Sequence, residues 1–150
     1  MKSKLILTCA MVVVLLCLCA CFPTPKQASV DVSWDDFKKE QHISKEVEVA
    51  VDGSLTIALY SCPSEGRQWS ESQISDQTVL REVDHKFVPP EAEGDMPPPP
   101  GTPRQEVWTF KALKEGKSTI SMEYTHPWEG GWEGGEKEPM LTFVLTVVVK

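Results

Sequence analysis

The sequence predicts an all-β fold, an antiparallel sandwich of about seven strands. Three observations lead there. Short runs of alternating or β-branched residues recur between residues 47 and 149. Glycine- and proline-bearing turn signals separate them at short intervals. No segment of that span carries a sustained helical period. The chain has 150 residues, which suits one ordinary domain.

The N-terminal segment reads as an address rather than as part of that fold. Lys2 and Lys4 precede an apolar run over residues 5–18, shorter than the ~20 residues of a membrane-spanning helix. Leu18-Cys19-Ala20-Cys21 then resembles a bacterial lipoprotein box: an aliphatic residue and small residues ahead of a thiol that takes a diacylglycerol. Residues 1–20 are therefore expected to be a signal peptide and Cys21 the lipidated N-terminus. The mature protein would be an extracytoplasmic lipoprotein, anchored by its acyl chains to a membrane of the cell envelope. Residues 22–29 are polar and proline-bearing and read as a tether. Residues 21–42 are thus assigned to anchor and tether, and 43–150 to the folded domain. The stretch 30–45 is ambiguous: Trp34 and Phe37 either staple this arm onto the domain or sit in a short turn of helix.

Removing the signal changes what the composition means. Four of the five cysteines lie at or before position 21, which leaves Cys62 alone in the body of the chain and excludes a disulfide-stapled scaffold. The 15 Lys and Arg, less Lys2 and Lys4, leave 13 against 22 Asp and Glu. So acidic a chain excludes nucleic acid as its partner, because a phosphate backbone requires a basic surface.

The strands follow in order. Residues 47–51 alternate and stop at Asp52-Gly53, a hairpin turn pair. Residues 55–59 place Leu55, Ile57 and Leu59 on one face, and the stretch 63–66 breaks the run. Residues 68–74 form a third run and 78–88 a fourth, with Val79, Val83 and Phe87 in phase. Residues 107–110 are the fifth, with Trp108 and Phe110 pointing the same way. Residues 118–125 alternate most cleanly, with Ile120, Met122 and Tyr124 inward, and the β-branched run 140–149 closes the set. This count and spacing suggest an immunoglobulin-like sandwich. It has no inter-sheet cystine, so Trp69 and Trp108 are expected to fill its core.

Three connections stand out: residues 61–67, residues 89–104 with the Pro97–Pro100 run, and residues 126–135 with Trp128 and Trp132 among glycines. In an up-and-down strand count all three emerge at one end of the sandwich. Loops converging on one end of a rigid β scaffold are natural binding loops. Tryptophans exposed among glycines are costly unless they contact something.

The residues of these loops resemble the chagasin family, small immunoglobulin-like inhibitors of papain-like cysteine proteases. Members carry an N-P-T-T-G-Y-x-W loop, a G-x-G-G loop and an R-P-W loop. Cys62-Pro63-Ser64-Glu65-Gly66-Arg67-Gln68-Trp69 keeps the Pro, Gly and Trp of the first at their spacing, and His126-Pro127-Trp128 keeps the Pro and Trp of the third. Gly101-Thr102-Pro103-Arg104 keeps one glycine of the second, after a proline-rich insertion. Trp108-Thr109-Phe110 and Gly116-Lys117-Ser118-Thr119-Ile120 are similar to the family framework, and the likeness runs from about His42 to Lys150. The resemblance implies a monomeric inhibitor with no catalysis and no cofactor. Its three loops would form a wedge in the protease cleft, the first lying over the catalytic thiol and Trp128 serving as an aromatic anchor. The contact residues so implied are Cys62, Pro63, Ser64, Glu65, Gly66, Gly101, Thr102, His126, Pro127 and Trp128. Three positions depart from the pattern. Glu65 stands where members have Thr, Cys62 replaces an Asn that braces the loop, and Arg67 replaces an aromatic.

Rival readings are weaker. Cys62 and His126 lie on adjacent loops, but no orienting acid or oxyanion site can be named beside them. His42, His85 and His126 with one thiol show no metal-ligand spacing, so no metal is expected. The serious alternative is a non-inhibitory surface module, adhesin-like or carbohydrate-binding, that uses Trp128 and Trp132 as platforms.

Overall fold

Trp69 and Trp108 are buried between two β-sheets, as expected of the core. The architecture comes from a computed structural model that describes residues 23–90, 99, 101–126 and 140–150. The proposed signal peptide, Cys21, most of the proline run, Pro127, Trp128 and Trp132 lie outside the described residues.

One sheet runs in the order β1 (Gln27–Val32), β3 (Ser54–Ser61), β7 (Arg104–Ala112), β6 (Leu80–Val88). The other runs β2 (His42–Val49), β9 (Leu141–Val149), β8 (Gly116–Thr125), β4 (Gln68–Trp69), with β5 (Gln73–Ile74) also on β8. Strict alternation explains the packing. Leu55, Ile57 and Leu59 of β3, Trp108 and Phe110 of β7, Ile120, Met122 and Tyr124 of β8, and Phe143, Leu145 and Val147 of β9 all point into the core. Their burial is the main stabilising term of the domain.

Four features differ from the sequence expectation. The arm that reads as a tether belongs to the domain from residue 27. Ala28, Val30 and Val32 alternate along β1, and Val30 and Val32 enter the core. A short helix, α1 (Trp34–Lys39), follows. Ser33 caps it: its Oγ accepts the Asp36 N–H at 3.3 Å, while Asp36 Oδ2 accepts the Ser33 N–H at 3.0 Å. This reciprocal capping box satisfies two end donors, and Phe37 buries its ring against Trp69, 5.6 Å between centroids. Both expectations for this stretch therefore hold at once, since the helical turn is what staples the arm down.

Second, the sandwich is not wholly antiparallel. β1 pairs parallel with β3, and β2 parallel with β9. Parallel neighbours cannot be joined by a tight turn, and the chain between β1 and β3 makes the required excursion through α1 and the opposite sheet. Third, Asp52-Gly53 closes no hairpin, because its flanking strands lie in different sheets. Asp52 adopts a left-handed φ of 61°. A Cβ on Gly53 would stand 2.6 Å from the Ala50 carbonyl oxygen, so only glycine passes this crossing. Fourth, the expected 68–74 strand is broken into β4 and β5, and Val83 and Phe87 are exposed. A bulge between Glu82 and Asp84 shifts the register of β6, which moves Val83 out of phase with Val79.

The topology fixes where α1 lies. β3 ends at Ser61 and feeds the first loop, and β9 begins at Leu141 out of the third. β1 runs parallel to β3 and β2 parallel to β9, so the helix joining them crosses the loop-bearing end of the sandwich.

Candidate functional site

The first loop is a preformed turn. Pro63–Glu65 is one turn of 3₁₀-helix, closed by Glu65 N–H to the Cys62 carbonyl at 3.1 Å and Gly66 N–H to the Pro63 carbonyl at 3.0 Å. Gly66 ends it with φ 75° and ψ 15°, a left-handed conformation that costs other residues ~1–2 kcal/mol. Pro63, Ser64 and Glu65 are exposed at the crest.

Cys62 is placed otherwise than expected. It is buried at 1% exposure and is therefore not a surface contact. Its N–H donates to the Tyr124 hydroxyl at 2.8 Å, and its thiol donates to the Gly101 carbonyl at 3.6 Å, with Ser64 Oγ at 3.4 Å. Cys62 thus does the bracing work that the family gives to Asn, and it ties the first loop to the second. Burial pushes the Tyr124 phenol above its ordinary pKa, so the hydroxyl stays protonated at neutral pH. Beneath it, Trp69 donates its indole N–H to the Tyr60 carbonyl at 2.8 Å and packs on Tyr124, 5.0 Å between centroids.

In the second loop Gly101 is exposed with φ 87°, and Thr102 donates its N–H and its hydroxyl to the Pro99 carbonyl at 3.2 and 2.6 Å. Of the third loop's expected contacts, His126 is described; Pro127 and Trp128 lie outside the described residues. His126 Nε2 accepts the Arg67 Nε–H at 2.7 Å. Arg67 also donates to Glu65 Oε2 at 2.8 Å.

These contacts make sense of the departures from the family pattern. Glu65 and Arg67 pair with each other, which offsets the carboxylate placed at the crest. Arg67 reaches on to His126, which stands where the family has its own arginine. One set of substitutions supplies a Glu65–Arg67–His126 chain that ties the first loop to the third. Sequence reasoning named Glu65 and His126 as separate contacts and left Arg67 out. The signal available was the co-occurrence of an added acid and an added base two residues apart.

Nucleophilic chemistry is not what the arrangement offers. The Cys62 thiol faces Gly101 and Ser64 while His126 faces Arg67, so no thiol–imidazole pair is assembled. Among the described residues no three His, Cys, Asp or Glu side chains converge to hold a metal ion. Another titratable group near this end is Glu106. It is 2% exposed and shares a hydrogen bond of 2.8 Å with His85 Nε2, and burial pushes its carboxyl pKa up despite that partner. His85 lies flat on Trp108 at 4.7 Å.

The first loop is now placed at one end of a β-sandwich, with Gly101 and Thr102 of the second loop and His126 of the third described beside it. The sequence profile described as chagasin family peptidase inhibitor matches residues 48–147. The chain belongs to the chagasin family of peptidase inhibitors. Amoebiasin-2 of Entamoeba histolytica is 28% identical over 113 residues, 75% of this chain and 82% of the relative. The crystal structure of the cysteine protease inhibitor EhICP2 from Entamoeba histolytica superposes with a TM-score of 0.60 at 24% identity, over 84% of this chain and 99% of that one. The solution structure of Amebosin superposes at 0.51 and 18% identity, over 83% of this chain and 98% of its own. Both share the chagasin sandwich. The profile match begins inside β2, so β1 and α1 lie outside the matched span.

Proposed function

We propose that this chagasin-family chain inhibits papain-like cysteine proteases by seating its three loops in the active-site cleft. The observation that carries the reading is the bracing. Cys62 ties the first loop to the second, and the Glu65–Arg67–His126 chain ties the first to the third. A first loop already held in one arrangement, tied to Gly101 and His126, loses little entropy on docking, so a modest interface suffices for tight binding. A protease reads its substrate as an extended strand. The crest Pro63–Glu65 is a closed 3₁₀ turn, which occupies the cleft without laying a peptide bond along it. Pro63, Ser64, Glu65 and Gly66 would face the catalytic thiol. Gly101, Thr102, His126, Pro127 and Trp128 would meet the walls of the cleft.

The test is a titration of papain with the full chain in detergent. Stoichiometric loss of activity with the inhibitor left uncleaved supports the reading. Full activity at micromolar inhibitor overturns it.

The same proposal includes the anchor. Cys21, following the apolar run and small residues, is read as the diacylglyceryl cysteine of an extracytoplasmic lipoprotein, with 1–20 removed. Expression in a lipoprotein-processing bacterium should give an N-terminal peptide with the mass of acylated Cys21, and Cys21→Ser should release the protein from the membrane fraction. An unmodified Cys21 in an uncleaved chain refutes this part.

A further inference from the structure

The helix in the stretch expected to be tether sits beside the stems of the three loops, and its surface is unfinished. Trp34 stacks on Tyr60 at 4.9 Å between centroids and 30°, yet remains 39% exposed. Tyr60 immediately precedes Ser61 and Cys62, the root of the first loop. On one side of Trp34 a groove of about 490 Å³ runs to the stem of the second loop, lined by Tyr60, Pro90, Pro103 and Arg104. On the other side a groove of about 540 Å³ runs to the stem of the third, lined by Lys39, His42 and Met140. Trp34 is a wall of both. Among the described residues four large apolar side chains are exposed, and two of them, Trp34 and Met140, flank this one end.

We infer that α1 is a fourth contact of the inhibitory surface, with Trp34 docking on the protease surface that borders the active-site cleft. The inference rests on the loop reading above. The occupant follows from continuity, since each groove opens from a loop stem and a protease seated on the loops must pass over one or both. Its chemistry follows from the lining. An apolar patch would cover Trp34, the prolines and Met140, and carboxylates at its edge would meet Arg104 and Lys39, the acidic groups of the same linings being Asp35, which pairs with Lys38, and Glu40. Trp34 is suited to the role because its ring is already immobilised by Tyr60 and the capped helix, so docking it costs little entropy, and tryptophan and arginine are the residues most often dominant in interfaces. Of this surface, α1 with Trp34 and Lys39 lies outside the span matched by the family profile, while Tyr60, Pro90, Pro103, Arg104 and Met140 lie within it.

The experiment measures inhibition constants of the full chain in detergent against papain, for wild type, Trp34→Ala and Arg104→Glu, with thermal unfolding of each. Trp34→Ala is expected to weaken inhibition by roughly tenfold or more, and Arg104→Glu by a few-fold. Wild-type inhibition with unchanged constants in both variants overturns the fourth contact and leaves the loop reading standing. Failure of the wild type to inhibit overturns the loop reading and this inference with it. Should Trp34→Ala lose its unfolding transition, Arg104→Glu decides alone, because that side chain is exposed and its replacement leaves the core intact.

Discussion

Replacing Tyr124 by phenylalanine isolates the anchor of the first loop. The Tyr124 hydroxyl accepts the Cys62 N–H at 2.8 Å, and both residues are 1% exposed. The phenylalanine ring keeps the contacts with Trp69 at 5.0 Å and Tyr60 at 6.4 Å, so almost no cavity is made. What remains is a buried backbone donor without a partner, which costs about 1–3 kcal/mol. That cost has two outlets. If the loop stays in place, the folded state carries the penalty and the urea midpoint falls. If the loop swings out to hydrate the N–H, stability is largely kept and the inhibition constant rises, about tenfold for each 1.4 kcal/mol. Urea unfolding followed by tryptophan fluorescence and papain inhibition, measured on the same variant, capture both outlets. The two losses together should come to about 1–3 kcal/mol. If both stay within about 0.5 kcal/mol of wild type, as for an ordinary surface substitution, the hydroxyl does not hold the loop and the bracing argument fails.

Other expectations follow from the same geometry. Gly66→Ala forces a side chain onto φ 75° at a cost of ~1–2 kcal/mol; it should weaken papain inhibition more than it lowers the unfolding temperature, and equal inhibition would show that the turn is not what docks. Phe37→Ala removes a buried ring from against Trp69 and should cost ~3–5 kcal/mol in urea unfolding; a change near zero would return α1 to the tether. Glu106 has its carboxyl pKa raised by burial above the ordinary 4.5, so its contribution is present at low pH and is lost as pH climbs from the unfolded value through the folded one. Glu106→Gln should therefore gain on wild type in urea midpoint as pH rises above the ordinary carboxyl value of 4.5, and parallel pH profiles for the two proteins would refute the assignment.

Much of the core was legible because alternation is a strict signal. Ile120, Met122 and Tyr124 had to share a face, and Trp69 and Trp108 had nowhere to go but between the sheets once no cystine was available. The loop end was legible from the order of Pro63, Gly66, Trp69 and His126. Pairing was less so. Asp52-Gly53 specifies a tight reversal, but β9 and β7 decide that its flanking strands part company instead of pairing. Val83 was misplaced because a bulge adds one residue, and one residue inverts every face beyond it. β1 was hidden by its brevity and by Pro23 and Pro25 ahead of it, although Ser33-x-x-Asp36 is a readable helix start. Cys62 shows where residue type stops informing. A thiol suits a loop crest and a buried brace equally, and the choice is made by a phenol 62 positions away and by the Gly101 carbonyl.

Cleft occupation by the braced first loop and its neighbours is the proposed mode of inhibition. It is tested most directly by measuring binding of the full chain to papain before and after the cleft is filled by a covalent, active-site-directed inhibitor. A complex should form with free papain and none with the blocked enzyme. Equal binding to both would contradict it.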